Sequence, residues 1–570
     1  MKDIVRINRK TKEVIIQNEG IIYEGLGGRG LISYLMQEEV DPKTDPLGAG
    51  NKFILAGMLL SGTPIPTVNR LSIGGKSPLT NGIKESNVGG TAGTYMASHG
   101  IKAMIFEDVP EDNILQIFIV KKDGTLSFED GEYLRGKGTY ETTAILFEKL
   151  GKDISIVVNG VAGERRYSNS SIQVSEMGTG YPCRAAGRGG MGAVMGTKGL
   201  KAIVFEKPYN QYQQKYADKE RFEKAKKAIV QSLINSKGIL SDVGTVGFMA
   251  ATIPTGIMPY KNFNGGIMTL EQQEKFNLQT VVERIRAYGG KTGHSCQTGC
   301  IIQCSNVINN QNGEQLTAGF EYETAGLFGP NCDIYDIEAI FKMDRFCDDF
   351  GFDTIELGAS VGAYMEAGKL AWGDAEGVLE MFDSFWEENN PIVEDFGKGA
   401  YKLGKKYGSC RIPTVKGQAI AAYDPRNLKG TGVTYALSPM GADHTAGPTL
   451  SRRDVNPVGK EGQVDASLAA QVGIAACDCN VCLFSWAGIA GGLPEAINGT
   501  LGYEWSFADI LKLGNETLLR ERTFNRLAGF NENDDMLPAF FYTEPSVTGS
   551  VYDIPKAEIN EKWHNEFNKE

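Results

Sequence analysis

Along the first third of the chain, apolar and polar positions alternate with a period near two. Segments 4–7, 14–17, 53–55, 103–106, 115–120, 154–158 and 202–205 read as short strands, separated by glycine-rich turns. Segments 29–39 and 140–150 carry the helical period instead. From about residue 211 the helical period takes over. It predicts helices over 219–235, 271–288, 336–350, 354–368, 374–386 and 393–407, and a further one over 466–476. Segments 256–266 and 416–436 read as long polar loops, and the stretch after 544 as a polar wrap. The order is a mixed α/β first part of residues 1–210, a helical part of 211–417 and a third part of 418–570. The fold class is therefore α+β.

Composition narrows the picture. A chain of 570 residues makes roughly two to four domains. No apolar run reaches the 18 or so residues of a membrane span, and the N-terminus lacks a secretory apolar region, so a cytoplasmic protein with no membrane span is expected. A net charge of −12 argues against a nucleic-acid partner. Ten cysteines in such a chain read as thiols or ligands rather than disulfides.

Three of those ten stand together in HSCQTGCIIQC, as Cys296, Cys300 and Cys304. Iron–sulfur clusters take several near thiolates and one remote one, here Cys482 in ACDCNVCLFSW. Two rivals are a buried structural trio and a zinc site that draws on Cys477, Cys479 and Cys482. Gly187, Gly189 and Gly192 satisfy G-x-G-x-x-G, but the lead-in is a doubtful strand and the room for a crossover helix is short. Arg70, Arg184 and Arg188 near the glycine-rich stretches suit phosphate oxygens. Among four histidines, His444 sits in a Gly/Pro/Asp loop. Glu321 and Glu323 flank Tyr322, where an apolar setting favours base chemistry. No G-x-S-x-G elbow, phosphate-binding P-loop or H-E-x-x-H occurs, so hydrolase and NTPase readings lose support.

These motifs, in order, resemble the tungsten-containing aldehyde:ferredoxin oxidoreductase family over essentially the whole chain. The carriers are RLSIGGKSPLT with SNVGG, RAAGRGGMGAVMGTKGLKAI, the cysteine cluster, EYET, DDFGFD, YDPRN with GADH, and the remote Cys482. The resemblance implies an N-terminal two-sheet, β-rich cofactor-binding domain followed by two mostly helical domains. It implies a tungsten ion held by two pyranopterins (molybdenum accepts the same dithiolene sulfurs) and a [4Fe–4S] cluster on Cys296, Cys300, Cys304 and Cys482. Arg70 and Arg184 would meet pterin phosphates. Carbonyls of Asn87 and Ala185 would hold a bridging Mg2+, with Gly89 nearby. Asp348 and Asp353 match the first pterin-binding segment. The second reads CDCNVC, with Asp478 one place late, and the cysteine spacing is C-x3-C-x3-C where the family has C-x2-C-x3-C.

Glu323 and His444 match the family's acid/base pair, and Tyr322 and Tyr423 would line the pocket. The implied reaction oxidises an aldehyde to a carboxylic acid, with electrons leaving to ferredoxin or a small ferredoxin-like iron–sulfur subunit, in a homodimer or hetero-oligomer. A branch that reduces the aromatic thioester benzoyl-CoA has a cysteine near its tungsten. Cys332 is the candidate for that position, and a buried small residue is its plainer reading. The motifs also leave room for a nicotinamide dehydrogenase, through the glycine fingerprint, and for a non-enzymatic iron–sulfur electron-transfer subunit, through the cysteines.

Overall fold

The computed structural model describes residues 2–564; residue 1 and the last six residues of the third part lie outside the described residues. Twelve strands form two six-stranded sheets: β1 Asp3–Asn8, β2 Val14–Asn18, β3 Phe53–Gly57, β4 Leu71–Lys76, β5 Ile83–Val88, β6 Ile101–Glu107, β7 Gln116–Val120, β8 Leu126–Asp130, β9 Ile154–Asn159, β10 Ile172–Val174, β11 Arg184–Ala186 and β12 Leu200–Glu206. The first sheet runs β2-β1-β6-β3-β4-β5 and the second β11-β10-β9-β12-β7-β8.

The period-two pattern sorts side chains between two faces. In β3, Phe53 and Leu55 enter the core shared with Phe118, Val157 and Phe205 of the second sheet. Ile54 and Ala56 point the other way, under Leu31 and Leu35 of the helix Gly28–Glu39. The outer face of the second sheet, Ile117, Ile156 and Val204, is covered by Leu146 of the helix Thr139–Leu150. The chain thus builds a sandwich of two sheets with helices on its outer faces.

The glycine-rich run after β11 does not make a dinucleotide-binding crossover. Its helix, Met191–Thr197, joins edge strand β11 to β12, three strands away, and the pairings β11–β10, β10–β9 and β9–β12 are all antiparallel. The glycines serve packing instead. A Cβ on Gly192 would lie 2.5 Å from the Ser171 carbonyl, and one on Gly196 would lie 2.1 Å from that of Gly163.

Beyond the sandwich the chain is mostly helical. The helices Lys219–Asn235, Ile337–Phe350, Thr354–Glu366 and Ala375–Ser384 stand where the period places them. Two differ. The segment 271–288 breaks into Leu270–Lys275 and Leu278–Arg286, because Asn277 starts a new helix through a reciprocal cap with Thr280. The segment 393–407 divides into Pro391–Gly397 and Ala400–Tyr407 at Gly399, whose φ is +86°. The expected loop at 416–436 contains the helix Lys429–Leu437, buried along its whole length. A helix without a wet face shows no amphipathic stripe, so periodicity passes over it. No single described helix is long and apolar enough to cross a membrane.

Gly27, ahead of the helix Gly28–Glu39, lets three segments meet. A Cβ there would lie 2.1 Å from the Leu59 nitrogen and 2.8 Å from the Cys479 oxygen, which are themselves hydrogen-bonded at 3.0 Å. Gly27→Ala is expected to lose about 3 kcal/mol in denaturant unfolding, whereas a stability equal to wild type would show that the junction tolerates a methyl group.

Candidate active site

The cysteine loop is the turn of a hairpin. Lys291–His294 pairs antiparallel with Ser305–Asn309, so residues 295–304 close on themselves and gather Cys296, Cys300 and Cys304. The loop is tied to the sandwich through the Gly90 amide, which donates to the Cys296 carbonyl at 2.7 Å. A Cβ on Gly89 would lie 3.0 Å from that carbonyl and 3.3 Å from the Cys296 sulfur, so the glycine permits the approach. Cys482 arrives after the helix Gln463–Asp478, in a turn closed by the Asn480 and Val481 amides on the Cys477 carbonyl.

All four thiols lie within electrostatic reach of Arg70, whose Nη1 is 3.7 Å from the Cys296 sulfur. A hydrogen bond from Cys300 and the charges of Arg70 and Arg184 pull the Cys296 thiol down to about 5, against burial. Burial pushes the Cys304 and Cys482 thiols up, and Cys300 rises through its hydrogen bond to Cys296 and burial. The group is suited to ligation that releases protons. The zinc reading loses its second pair, because Cys477 and Cys479 donate to the Val481 and Ala475 carbonyls. Among the described residues, no three His, Cys, Asp or Glu side chains converge for a single ion.

Edge strands β5 and β11 lie side by side beside this loop, and edge strands expose backbone groups that have no ladder partner. Asn87 is on β5 and Ala185 on β11. Arg70 bonds the Asn87 side-chain oxygen, and its Nη2 donates to the Asn87 carbonyl at 3.3 Å. Arg184 donates to Ser305 at 2.6 Å and to Glu176 at 2.5 Å, and Glu176 also meets His294 at 3.0 Å. Burial would raise the Glu176 carboxyl, but His294, Arg184 and Thr179 together hold it well below the usual range.

Across the cleft, Asp353 caps the helix Thr354–Glu366 through the Ile355 amide at 3.0 Å and takes Arg188 Nε at 3.3 Å. The other nitrogens of Arg188 donate to the Ala442 and Ala419 carbonyls, both at 2.6 Å, so this arginine joins segments rather than waiting for phosphate. Asp348 is buried, and burial followed by the charge of Asp344 pushes its carboxyl well up. Asp478 pairs with Arg29 at 3.2 Å, and burial raises it to about 6 despite that cation.

Glu323 and His444 come together from distant parts of the chain. Glu323 lies in the first turn of the helix Tyr322–Phe328. Its Oε2 accepts the Ala422 amide at 2.7 Å, and its Oε1 lies 3.4 Å from His444 Nε2. Tyr322 donates to the Ala422 carbonyl at 2.7 Å and stacks on Tyr423 at 4.9 Å, and the Tyr423 ring lies 6.0 Å from that of His444. Glu321 turns away to Thr245, and burial raises it to about 7. Cys332 is fully buried and donates to the Leu327 carbonyl at 3.2 Å.

Sequence reasoning missed what aims His444. Asp443 accepts the Thr445 amide at 3.0 Å, and its other oxygen meets Lys84 Nζ of β5 at 2.6 Å. The GADH motif carried Asp443, but nothing in the spacing pointed to Lys84.

Asn87 Nδ2, Arg184 Nε, Glu323 Oε1 and His444 Nδ1 are buried without a hydrogen-bond partner in the chain. Each such atom costs about 1–3 kcal/mol when left unmet. All four belong to the expected site residues, and a polar group bound beside them would meet these atoms.

Two family models cover the chain. That of the aldehyde ferredoxin oxidoreductase N-terminal domain matches residues 4–207, and that of domains 2 and 3 of the same enzyme matches 220–563. The tungsten-containing aldehyde ferredoxin oxidoreductases of Pyrococcus furiosus and Thermococcus kodakarensis are each 30% identical, over 96% of this chain and 92% of theirs. The WOR-like subunit of an aliphatic sulfonate oxidoreductase from Pyrococcus furiosus is 24% identical over 79% of this chain and 75% of its own. The solved active site complex BamBC of benzoyl coenzyme A reductase, in complex with 1,5-dienoyl-CoA, shares the fold. Its TM-score is 0.80 at 16% identity, covering 99% of this chain and 94% of that one.

The Lys84–Asp443 pair gives a testable expectation. Burial works to raise Asp443, but Lys84, Arg188 and His444 outweigh it and hold the carboxyl well below its ordinary value. A depressed carboxylate contributes stability that is complete above its unfolded pKa and is lost as pH falls below about 4. Lys84→Met is expected to cost about 3–5 kcal/mol at neutral pH, because it strands a buried carboxylate. It should also flatten the acid limb of a stability–pH profile, and an unchanged limb would assign acid sensitivity to other groups.

Proposed function

The chain belongs to the aldehyde ferredoxin oxidoreductase family, and from that premise we propose that it oxidises an aldehyde to a carboxylic acid with water and passes the electrons to ferredoxin or a ferredoxin-like iron–sulfur subunit. The observation that carries the reading is the buried Glu323–His444 pair, with one carboxylate oxygen fixed by an amide and the other 3.4 Å from the imidazole. In this reading Cys296, Cys300, Cys304 and Cys482 hold a [4Fe–4S] cluster. Arg70 and Arg184 meet pterin phosphates, the carbonyls of Asn87 and Ala185 hold Mg2+, with Gly89 beside them, and Asp348 and Asp353 bond pterin nitrogens. Asp348, with its raised carboxyl, is suited to donate there. A tungsten bis-pyranopterin supplies the two-electron chemistry and the cluster the one-electron steps.

The protein's own part is proton handling and orientation. Glu323 Oε1 takes the proton of the water that adds to the aldehyde carbonyl, since Oε2 is already engaged by Ala422. His444 donates a ring N–H to the carbonyl oxygen and stabilises the negative charge that develops there. The stacked rings of Tyr322 and Tyr423 form an apolar wall that orients the substrate's body.

Glu323→Gln is expected to lower kcat by about 10²–10⁴-fold while metal content stays at the wild-type level; loss of the metal would make the residue structural and overturn its role as base. Metal analysis of anaerobically purified protein should give about one tungsten and four iron per chain. Molybdenum in place of tungsten would change the metal and keep the site, whereas iron without pterin would favour an electron-transfer subunit. Turnover of benzoyl-CoA, with aldehydes inert, would move the protein to the ring-reducing reaction.

A further inference from the structure

At the end of the second sheet, away from Glu323 and the cysteines, lies a cavity of about 580 Å³. That is the size range of small-molecule sites. One wall is apolar, made by Leu47, Val109, Pro110 and Leu115. The lining also carries Arg135, Arg165 and Arg166.

All but one of the cations in this lining are engaged. Arg135 is paired with Glu132. Glu164, also in the lining, is taken up by Lys201 and the Gly136 amide. Arg165 donates to the carbonyls of Phe385 and Trp386, at 2.9 and 3.3 Å, bonds the Tyr167 side chain and lies over the Phe350 ring, so its guanidinium is engaged by the helical part. The guanidinium of Arg166 is exposed and makes no hydrogen bond or ion pair with any described residue. Behind the cavity, Arg9 is fully buried, with Nη1 unpaired. A Cβ on Gly199, in the lining, would lie 3.5 Å from Arg9 Nη2. Lys198 is buried with the Asn51 carbonyl as its acceptor at 2.6 Å. The remaining lining carboxylate, that of Asp112, is exposed and partly offsets the charge of Arg9.

The backbone also holds Arg166 at φ 60°, a left-handed conformation that costs a non-glycine residue roughly 1–2 kcal/mol. Strain of this kind persists where the surroundings impose it and clusters at ligand sites. The nearby Lys198 and Gly199 amides are already bonded to Met195 and Gly196, so no free amides are offered to wrap a phosphate. One free guanidinium fork in a lining that also holds Leu47, Val109, Pro110 and Leu115 matches a single carboxylate on a hydrocarbon body.

We propose that this cavity is a second ligand site, for an aliphatic carboxylate whose head meets Arg166 and whose chain lies along Leu47, Val109, Pro110 and Leu115. The proposal stands independently of the catalytic reading. Titration calorimetry on the full-length protein, with octanoate, octanamide and inorganic phosphate as probes, tests it. Octanoate should bind saturably at about one site per chain, with octanamide and phosphate each at least about tenfold weaker. Arg166→Gly removes the guanidinium and relieves the left-handed backbone, so its melting temperature should equal or exceed that of wild type while octanoate binding weakens about tenfold. Octanamide or phosphate binding as tightly as octanoate, or octanoate binding unchanged in Arg166→Gly, would overturn the proposal. A fall in melting temperature in that variant would make Arg166 a structural residue and overturn it too.

Discussion

Charge taken out of water must find a partner, and in this molecule that demand brings the segments together. Arg188 of the glycine-rich run reaches Asp353 and the carbonyls of Ala419 and Ala442. Lys84 of the first sheet reaches Asp443, Arg184 of the second reaches Glu176, and Arg29 of the covering helix reaches Glu521 and Asp478. The Lys84, Arg188 and Arg29 contacts cross to other parts of the chain, while Arg184 and Glu176 sit together at the edge of the sandwich and reach Ser305 and His294 of the cysteine hairpin. Removing one member of a buried pair costs more than the pair contributes, because the survivor stays charged and dry. Polar contacts thus join the segments around the candidate site, alongside shared apolar cores such as that of Leu59, Ile65 and Ile474.

The sequence showed the elements better than the meeting points. Strands announced themselves because each sheet has two distinct faces, as Phe53 and Ile54 illustrate. Helices such as Lys219–Asn235 did so because one side stays wet. Where that contrast vanishes the pattern is silent. The helix Lys429–Leu437 is buried all round and carries two glycines and three β-branched residues, so neither period nor propensity marks it. The breaks at Asn277 and Gly399 rest on capping and on a left-handed turn, which an apolar period does not register.

The candidate site was legible through motif order. Spacing alone left Glu321 and Glu323 equivalent, and the helix separates them. Residues two apart do not share a helix face, so Glu321 goes to Thr245 and Glu323 to Ala422 and His444. The glycine fingerprint misleads for a related reason. A motif states which residues lack side chains, but only the strand directions around it decide whether that space receives a phosphate or another backbone.

The way the acid/base pair is anchored bears on its chemistry. Ala422 is gripped twice, by Tyr322 on its carbonyl and by Glu323 on its amide, so the helix Tyr322–Phe328 and the segment that carries Tyr423 behave as one body. His444 belongs to a different anchor, because Asp443 fastens its turn to Lys84 in the first sheet. The 3.4 Å between Glu323 and His444 therefore rests on both ties, that of Ala422 and that of Lys84. A proton-transfer pair depends steeply on such a distance. In the proposed reaction, the base and the hydrogen-bond donor are thus set at their 3.4 Å separation by contacts within the chain itself.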